Sequence, residues 1–243
     1  MISDFIGVLR FITIVVVSLA FSVTAIATVP LDRTGRMFHT NNRMWARCVL
    51  WLGGITITVR GLERVSLTRN YVYVANHASM FDIPAIIAGI PDQIRIVYKK
   101  ELEWIPLFGW GLRIGSYIGI DRSGGTKAMK SLEEAASRIR NGASVLLYAE
   151  GTRTVDGKLQ PFKRGAFHLA VKSGVPVVPL TVNGSFHILR KHSMVIRPGH
   201  VELVLDSPIP NTDESGKNGE RYLMDSVHST ISRHYRNQEE MEG

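Results

Sequence analysis

The stretch Asn76-His77-Ala78-Ser79-Met80-Phe81-Asp82 decides how this chain is read, because it sets an imidazole and a carboxylate five residues apart at a change of hydrophobic period. Before it, Tyr71 to Ala75 are aromatic and β-branched and predict a buried strand; after it, Ile83 to Ile90 predict an apolar helix. Two side chains five residues apart on one regular helix point roughly 140° away from each other. They meet only if His77 lies in the turn and Asp82 in the first helical turn, where Pro84 also belongs. In that arrangement the carboxylate takes one imidazole N–H and leaves the other nitrogen to accept a proton from a hydroxyl. An HxxxxD pair arises by chance about 0.3 times in a chain of this size, and a helix-capping Asp near an ordinary turn His is the bland alternative.

Outward from that stretch, strands and helices alternate. Ile55 to Arg60 alternates apolar and polar as a first strand; Arg95 to Tyr98, Ser116 to Ile120 and Val145 to Ala149 read as further strands. Thr126 to Asn141 carries Met129, Leu132, Ala136 and Ile139 at helical spacing and stops at Gly142. Val175 to Leu180 is a proline-bounded strand whose Pro176 and Pro179 call for an edge, a terminus or a bulge. Ser193 to Ile209 predicts two strands around the Arg197-Pro198-Gly199 turn, and Arg221 to Tyr235 a helix with Leu223, Val227 and Ile231 on one face. Asn211 to Gly219 reads as a polar loop, and the last five residues as a frayed end. The fold class is α/β with a mixed sheet and the chemistry at strand ends.

Residues 11 to 31 hold no charge and are long enough to cross about 30 Å of hydrocarbon, which predicts a membrane anchor. A secretory signal peptide is the alternative, since Arg10 precedes the apolar run and Ala25-Ile26-Ala27 resembles a cleavage site. Arg33, Arg36, Arg43 and Arg47 follow it and place the bulk of the protein on the cytoplasmic face of the inner cell membrane. Residues 37 to 54 mix arginines with Met37, Met44, Trp45 and Trp51, as in a helix lying at head-group depth or one packed on the catalytic unit. The expected division is a membrane-anchoring portion over 1–54 and a catalytic domain over 55–243.

The formal charge of +8 points to anionic partners, and composition alone does not choose among head groups, acidic carriers and nucleic acid. The charge is spread along the chain without a nucleic-acid motif, so no nucleic-acid partner is expected. A single cysteine, Cys48, excludes an internal disulfide and a Cys-based zinc site, and no His spacing predicts a metal. Glu150-Gly151-Thr152-Arg153 follows the Val145 strand. The glycine lets backbone approach a ligand and the arginine can fork onto phosphate oxygens, although four such residues also make an ordinary turn.

Four ordered blocks resemble the glycerolipid acyltransferase family, most closely its bacterial 1-acyl-glycerol-3-phosphate acyltransferases. They are NHASMFD at 76–82, YKKELEWIPLFGWG with YIGIDR between 98 and 122, YAEGTR with PFKRGAF between 148 and 167, and VPVVPL at 175–180. The resemblance covers roughly residues 55 to 205 and departs at Gly119, where the family often has a larger apolar residue. It implies a mixed-sheet α/β acyltransferase fold with an N-terminal helical membrane-binding segment. It further implies transfer of a fatty acyl group from acyl-CoA or acyl carrier protein to the sn-2 hydroxyl of lysophosphatidic acid, giving phosphatidic acid at the lipid bilayer. Glycerol 3-phosphate, another lysophospholipid or a lyso-ornithine lipid is the alternative acceptor, and a thioesterase or a non-enzymatic basic surface module the alternative function. By the same resemblance His77 is the base, Asp82 holds its tautomer, and Gly151, Thr152 and Arg153 hold the acceptor phosphate. Glu150 orients that loop, Lys99 and Arg122 serve the phosphate or the oxyanion, Lys163 is a further candidate, and neither metal nor cofactor is required.

Overall fold

A computed structural model describes residues 2–31, 34–115, 117–121, 125–211 and 216–237. Two helices open the chain, α1 (Ile2–Thr28) and α2 (Arg36–Gly53). Then follow β1 (Ile55–Arg60), β2 (Val72–Ala75), α3 (Asp82–Gly89), β3 (Arg95–Lys99), α4 (Phe108–Ile114), β4 (Ile118–Ile120) and α5 (Gly125–Arg140). The remainder is β5 (Val145–Tyr148), α6 (Arg164–Ser173), β6 (Val177–Asn183), the single turn α7 (Ser185–Ile188), β7 (Gly199–Leu205) and α8 (Lys217–His234).

The strands form one seven-stranded sheet in the order β1-β7-β6-β2-β5-β3-β4. Every neighbouring pair is parallel except β6 and β7, so the sheet is mixed as its alternating elements predict. Side chains alternate across it by the two-residue period of a strand. Tyr73, Leu146, Val178, Leu180 and Val182 pack on the side of α2 and α3, while Val72, Val74, Val145 and Leu147 pack on the side of α5, α6 and α8. The predicted stripe Leu223, Val227 and Ile231 is fully buried in the second layer.

Pro179 sits inside an internal strand without breaking it. Its C=O accepts the Asp206 N–H at 3.0 Å on the β7 side, and the antiparallel ladder with β7 begins only at Leu180. Proline cannot return the second bond of that pair to Asp206 O, so the ladder starts one residue later and Pro179 sits at its end. Two expectations change. The Val175 strand starts two residues later and runs on to Asn183, and only one strand forms between Ser193 and Ile209. Ser193 to Pro198 does not pair as a strand because its backbone is engaged elsewhere: Ile196 N–H donates to Gly7 O in α1 and Arg197 N–H to Ile188 O. The final five residues lie outside the described residues.

α1 is long and apolar enough to cross a membrane, and most of it is exposed. It is nevertheless docked on the protein at both ends. Asp4 pairs with Arg197 at 3.4 Å and Gly7 is buried against Val195; farther on, Ser18 Oγ accepts Trp45 Nε1–H at 2.9 Å and Thr24 donates to Asn41 at 2.7 Å. α2 lies beneath it, with Phe38, Ala46, Val49 and Leu50 buried and Met44 and Trp51 exposed.

Between β3 and α4 the chain passes Leu107, whose φ of 62° and ψ of −61° are rare for a residue with a side chain. The Phe108 N–H donates to Pro106 O at 2.7 Å, closing a three-residue γ-turn that costs of order 1–3 kcal/mol.

At the carboxyl end of β2 the Asn76 amide bridges to β6, donating to Val182 O at 2.9 Å and accepting Val182 N–H at 2.8 Å. Asn76 is 1% exposed, so losing it strands two buried backbone groups. Asn76→Ala is expected to lower unfolding free energy by ~2–4 kcal/mol in chemical denaturation, far more than a surface substitution.

Candidate active site

β2 and β5 are parallel neighbours with Ala75 opposite Tyr148, so the segments that leave their carboxyl ends emerge side by side. The first is the turn 76–81 and the second is the loop from Ala149 to Lys163. His77 lies in that turn and Asp82 is the first residue of α3. The structure brings the two together: His77 Nδ1 is 2.7 Å from Asp82 Oδ2. The same oxygen accepts the N–H groups of Ala78 at 2.8 Å and Ser79 at 3.0 Å.

Asp82 is fully buried, and its Oδ1 has no hydrogen-bond partner among the described residues. A carboxylate can only accept, so Nδ1 carries the hydrogen and Nε2 presents a lone pair. The imidazole is 15% exposed and lies flat on the Tyr148 ring, with centroids 3.8 Å apart and planes 13° apart. Burial, and then the Asp82 charge, push the Tyr148 hydroxyl well above its ordinary pKa, so it stays protonated under the imidazole.

Two backbone-level contacts stitch the loop to the turn. His77 N–H donates to Glu150 Oε1 at 2.6 Å, and Thr154 N–H donates to His77 O at 3.0 Å. Glu150 Oε2 accepts Gln160 N–H at 3.1 Å, which closes the loop on itself. Glu150 is 2% exposed, and burial raises its pKa to about 7 against the two N–H donors that favour its charge.

Gly151 has φ of 69°, a left-handed conformation, and the Lys163 side chain crosses directly above it. Thr152 is exposed and Arg153 half-buried. Burial lowers the Arg153 pKa and the Asp82 carboxylate opposes that shift, so the guanidinium and that carboxylate lie within electrostatic reach. Lys191 Nζ donates to Thr152 Oγ1 and to Arg153 O, each at 3.2 Å, and pins the loop from the far side.

Of the other candidates among the described residues, only Lys99 is placed away from the turn and loop. Lys99 ends β3 on the same carboxyl edge, one strand beyond β5 and so about 10 Å from β2, and pairs with Glu101 at 3.3 Å. Lys163 is exposed, and Arg122 lies outside the described residues. At Gly119 a Cβ would come within 2.7 Å of Glu103 Oε1 and 3.2 Å of the Tyr98 ring. The departure there makes room for the 3.1 Å hydrogen bond from Tyr98 to Glu103.

Tyr148, Thr154, Gln160 and Lys191 were not among the residues singled out from sequence. Tyr148 and Gln160 lie within or beside a quoted block, so position alone could have flagged them; nothing local marks Lys191. Among the described residues no group of three or more His, Cys, Asp or Glu side chains is arranged to hold a metal ion.

Glu150 has a consequence for stability. Its folded pKa exceeds the ordinary value of 4.5, so the folded state binds the proton more tightly than the unfolded chain. Stability is fully present below about 4.5 and is lost as pH rises toward about 7, by roughly 3 kcal/mol. The stability of the natural chain minus that of Glu150→Gln is expected to fall by about that much across this window, measured by denaturation at several pH values.

An acyltransferase family model matches residues 56–183. A 1-acyl-sn-glycerol-3-phosphate acyltransferase of Cocos nucifera is 34% identical over 204 residues, covering 83% of this chain and 64% of its own length. That of Limnanthes alba is 37% identical over 167 residues, covering 68% and 58% respectively. The chain spans about three fifths of the length of these curated relatives. The crystal structure of the 1-acyl-sn-glycerophosphate acyltransferase PlsC from Thermotoga maritima superposes with a TM-score of 0.80 at 26% identity, over 96% of each chain. The extent of these matches, with the paired His77 and Asp82 lying inside the matched region, shows that the chain belongs to the acyltransferase family.

Proposed function

We propose that this protein transfers a fatty acyl group from a thioester, acyl-CoA or acyl carrier protein, to the sn-2 hydroxyl of 1-acyl-glycerol-3-phosphate, forming phosphatidic acid for phospholipid synthesis. The observation that carries the reading is the 2.7 Å contact between His77 Nδ1 and a fully buried carboxylate, with Nε2 left for a substrate. The names of the relatives, acting on 1-acyl-glycerol-3-phosphate, support the acceptor.

In this mechanism Nε2 takes the proton of the acceptor hydroxyl as its oxygen attacks the thioester carbonyl. A C–O bond forms and charge gathers on the carbonyl oxygen; collapse breaks the C–S bond, and the leaving sulfur takes the proton back from Nε2. Asp82 stabilises the transient imidazolium and keeps the ring from flipping. Transfer is direct, with no acyl-enzyme. Arg153, on a loop fixed by Glu150 and Lys191, supplies a forked cation for the acceptor phosphate, with Lys163 over Gly151 beside it and Lys99 farther along the sheet; Arg122 is a further candidate by resemblance. No cofactor takes part beyond the acyl donor.

The site belongs at a membrane, on the cytoplasmic face of the inner membrane, whose anionic head groups suit the arginines that follow α1. Because α1 is fastened to the protein at Gly7 and again at Ser18 and Thr24, crossing the bilayer would drag the Asp4–Arg197 pair into hydrocarbon. The helix lies along one leaflet with its exposed face in lipid.

Product analysis by mass spectrometry over mixed donors and acceptors tests the assignment: phosphatidic acid from lysophosphatidic acid is expected. Free fatty acid as the sole product, or preference for an acceptor without phosphate, would overturn it. His77→Ala and Asp82→Asn are expected to lower kcat by ~10²- to 10⁴-fold. Arg153→Ala is expected to raise KM for the acceptor by ~10- to 100-fold while KM for the donor changes little.

A further inference from the structure

Beyond α1, a second part of the surface is apolar without being covered. Trp104 is 85% exposed, Trp110 51%, Ile105 45%, Ile114 42% and Phe108 37%. All five lie in one short piece of chain, from the end of the 3-10 turn Lys100–Trp104 through Ile105 to α4, which follows β3 at the carboxyl end of the sheet where His77 sits. Scattered apolar residues on a surface need no explanation, but two tryptophans and three large aliphatic or aromatic neighbours within eleven residues do.

The patch is continuous with the exposed face of α1. α4 packs against α1, with Gly111 next to Ser22, and Gly115 at its end fits against Phe38 of α2. The exposed residues of α1, including Phe5, Leu9, Ile12, Val16, Leu19 and Val23, recur at helical spacing and form one stripe running into this corner. Cations flank the rings: Lys99, Lys100 and Arg113 are exposed around them. The acids close by are engaged, Glu101 by Lys99 and Glu103 by the Tyr98 hydroxyl. Amphipathic rings with a cationic border suit the boundary between acyl chains and anionic head groups. The γ-turn at Leu107 adds a sign of purpose, because a backbone held at positive φ in a non-glycine residue turns the chain between Ile105 and Phe108 and leaves both of them outward.

We propose that the segment from Trp104 to Ile114 is a second lipid contact, inserting its rings into the same leaflet that holds α1. The inference rests on the reading of α1 as a membrane-lying helix. Its consequence is that the bilayer holds the catalytic layer directly, at the edge from which His77 and the Glu150 to Arg153 loop project, and so fixes the height of the site above the acceptor's head group.

The test uses the full chain with one tryptophan kept at a time, at 51, 104 or 110, and the others replaced by Phe. Each variant is added to vesicles of phosphatidylethanolamine and phosphatidylglycerol with or without bromine on the acyl chains, after circular dichroism has shown native helix content. Trp104 and Trp110 emission is expected to fall at least twofold in brominated vesicles. Trp51 on α2 reports the α1–α2 anchor separately. Quenching of Trp51 with none at Trp104 or Trp110 overturns this proposal and leaves the anchor standing; no quenching at any of the three overturns both. Should the single-tryptophan chains fold poorly, Trp104→Ser with Trp110→Ser in the natural chain is expected to weaken vesicle binding at least fivefold with activity in detergent micelles retained, and unchanged binding overturns the proposal.

Discussion

One carboxylate oxygen organises the site. Asp82 Oδ2 receives the His77 ring and the amides of Ala78 and Ser79, so a single buried acceptor both shapes the turn after β2 and orients the imidazole. Burying a charge is costly unless donors surround it, and here three donors converge on one atom. The turn therefore cannot form properly without the group that sets the ring, which joins local folding to chemistry at a single atom.

The second constraint comes from parallel pairing. Because β2 and β5 run the same way, their carboxyl ends deliver two loops to one place, and Glu150 uses that proximity to take the His77 N–H into a buried carboxyl. Tyr148, the last residue of β5, supplies the flat surface on which the ring rests. The imidazole is thus held along its edge by an acid from the first turn of α3 and across its face by an aromatic ring from β5.

Much of this was legible in the sequence, for reasons that differ from residue to residue. The change from a strand run to a helix run fell at His77 and Asp82, and geometry then allowed contact in only one way; the structure has that arrangement. β1 and the α8 stripe were also readable because alternation and helical spacing are local signals. What escaped was set by distant partners. Ser193 to Pro198 is extended in pattern but gives its backbone to α1 and α7, and β6 continues past its second proline because β7 and Asn76 receive it. Lys191 reaches the 152–153 loop across 39 residues of sequence, and nothing in its neighbours announces that. Lys99 was a candidate by resemblance alone, and the strand order, which no local signal gives, places β5 between it and β2.

The pairing of Asp4 with Arg197 spans 193 residues. During synthesis at roughly 5–20 residues per second, the first turns of α1 wait on the order of 10–40 s before the segment they dock on leaves the ribosome. Through that interval the first turns of α1 lack their partner segment, although α2, made directly afterwards, is already there for the later turns. On the proposed reading of α1 as a membrane-lying helix, lipid is the surface at hand for those turns, and the chain meets the bilayer before its sheet is complete.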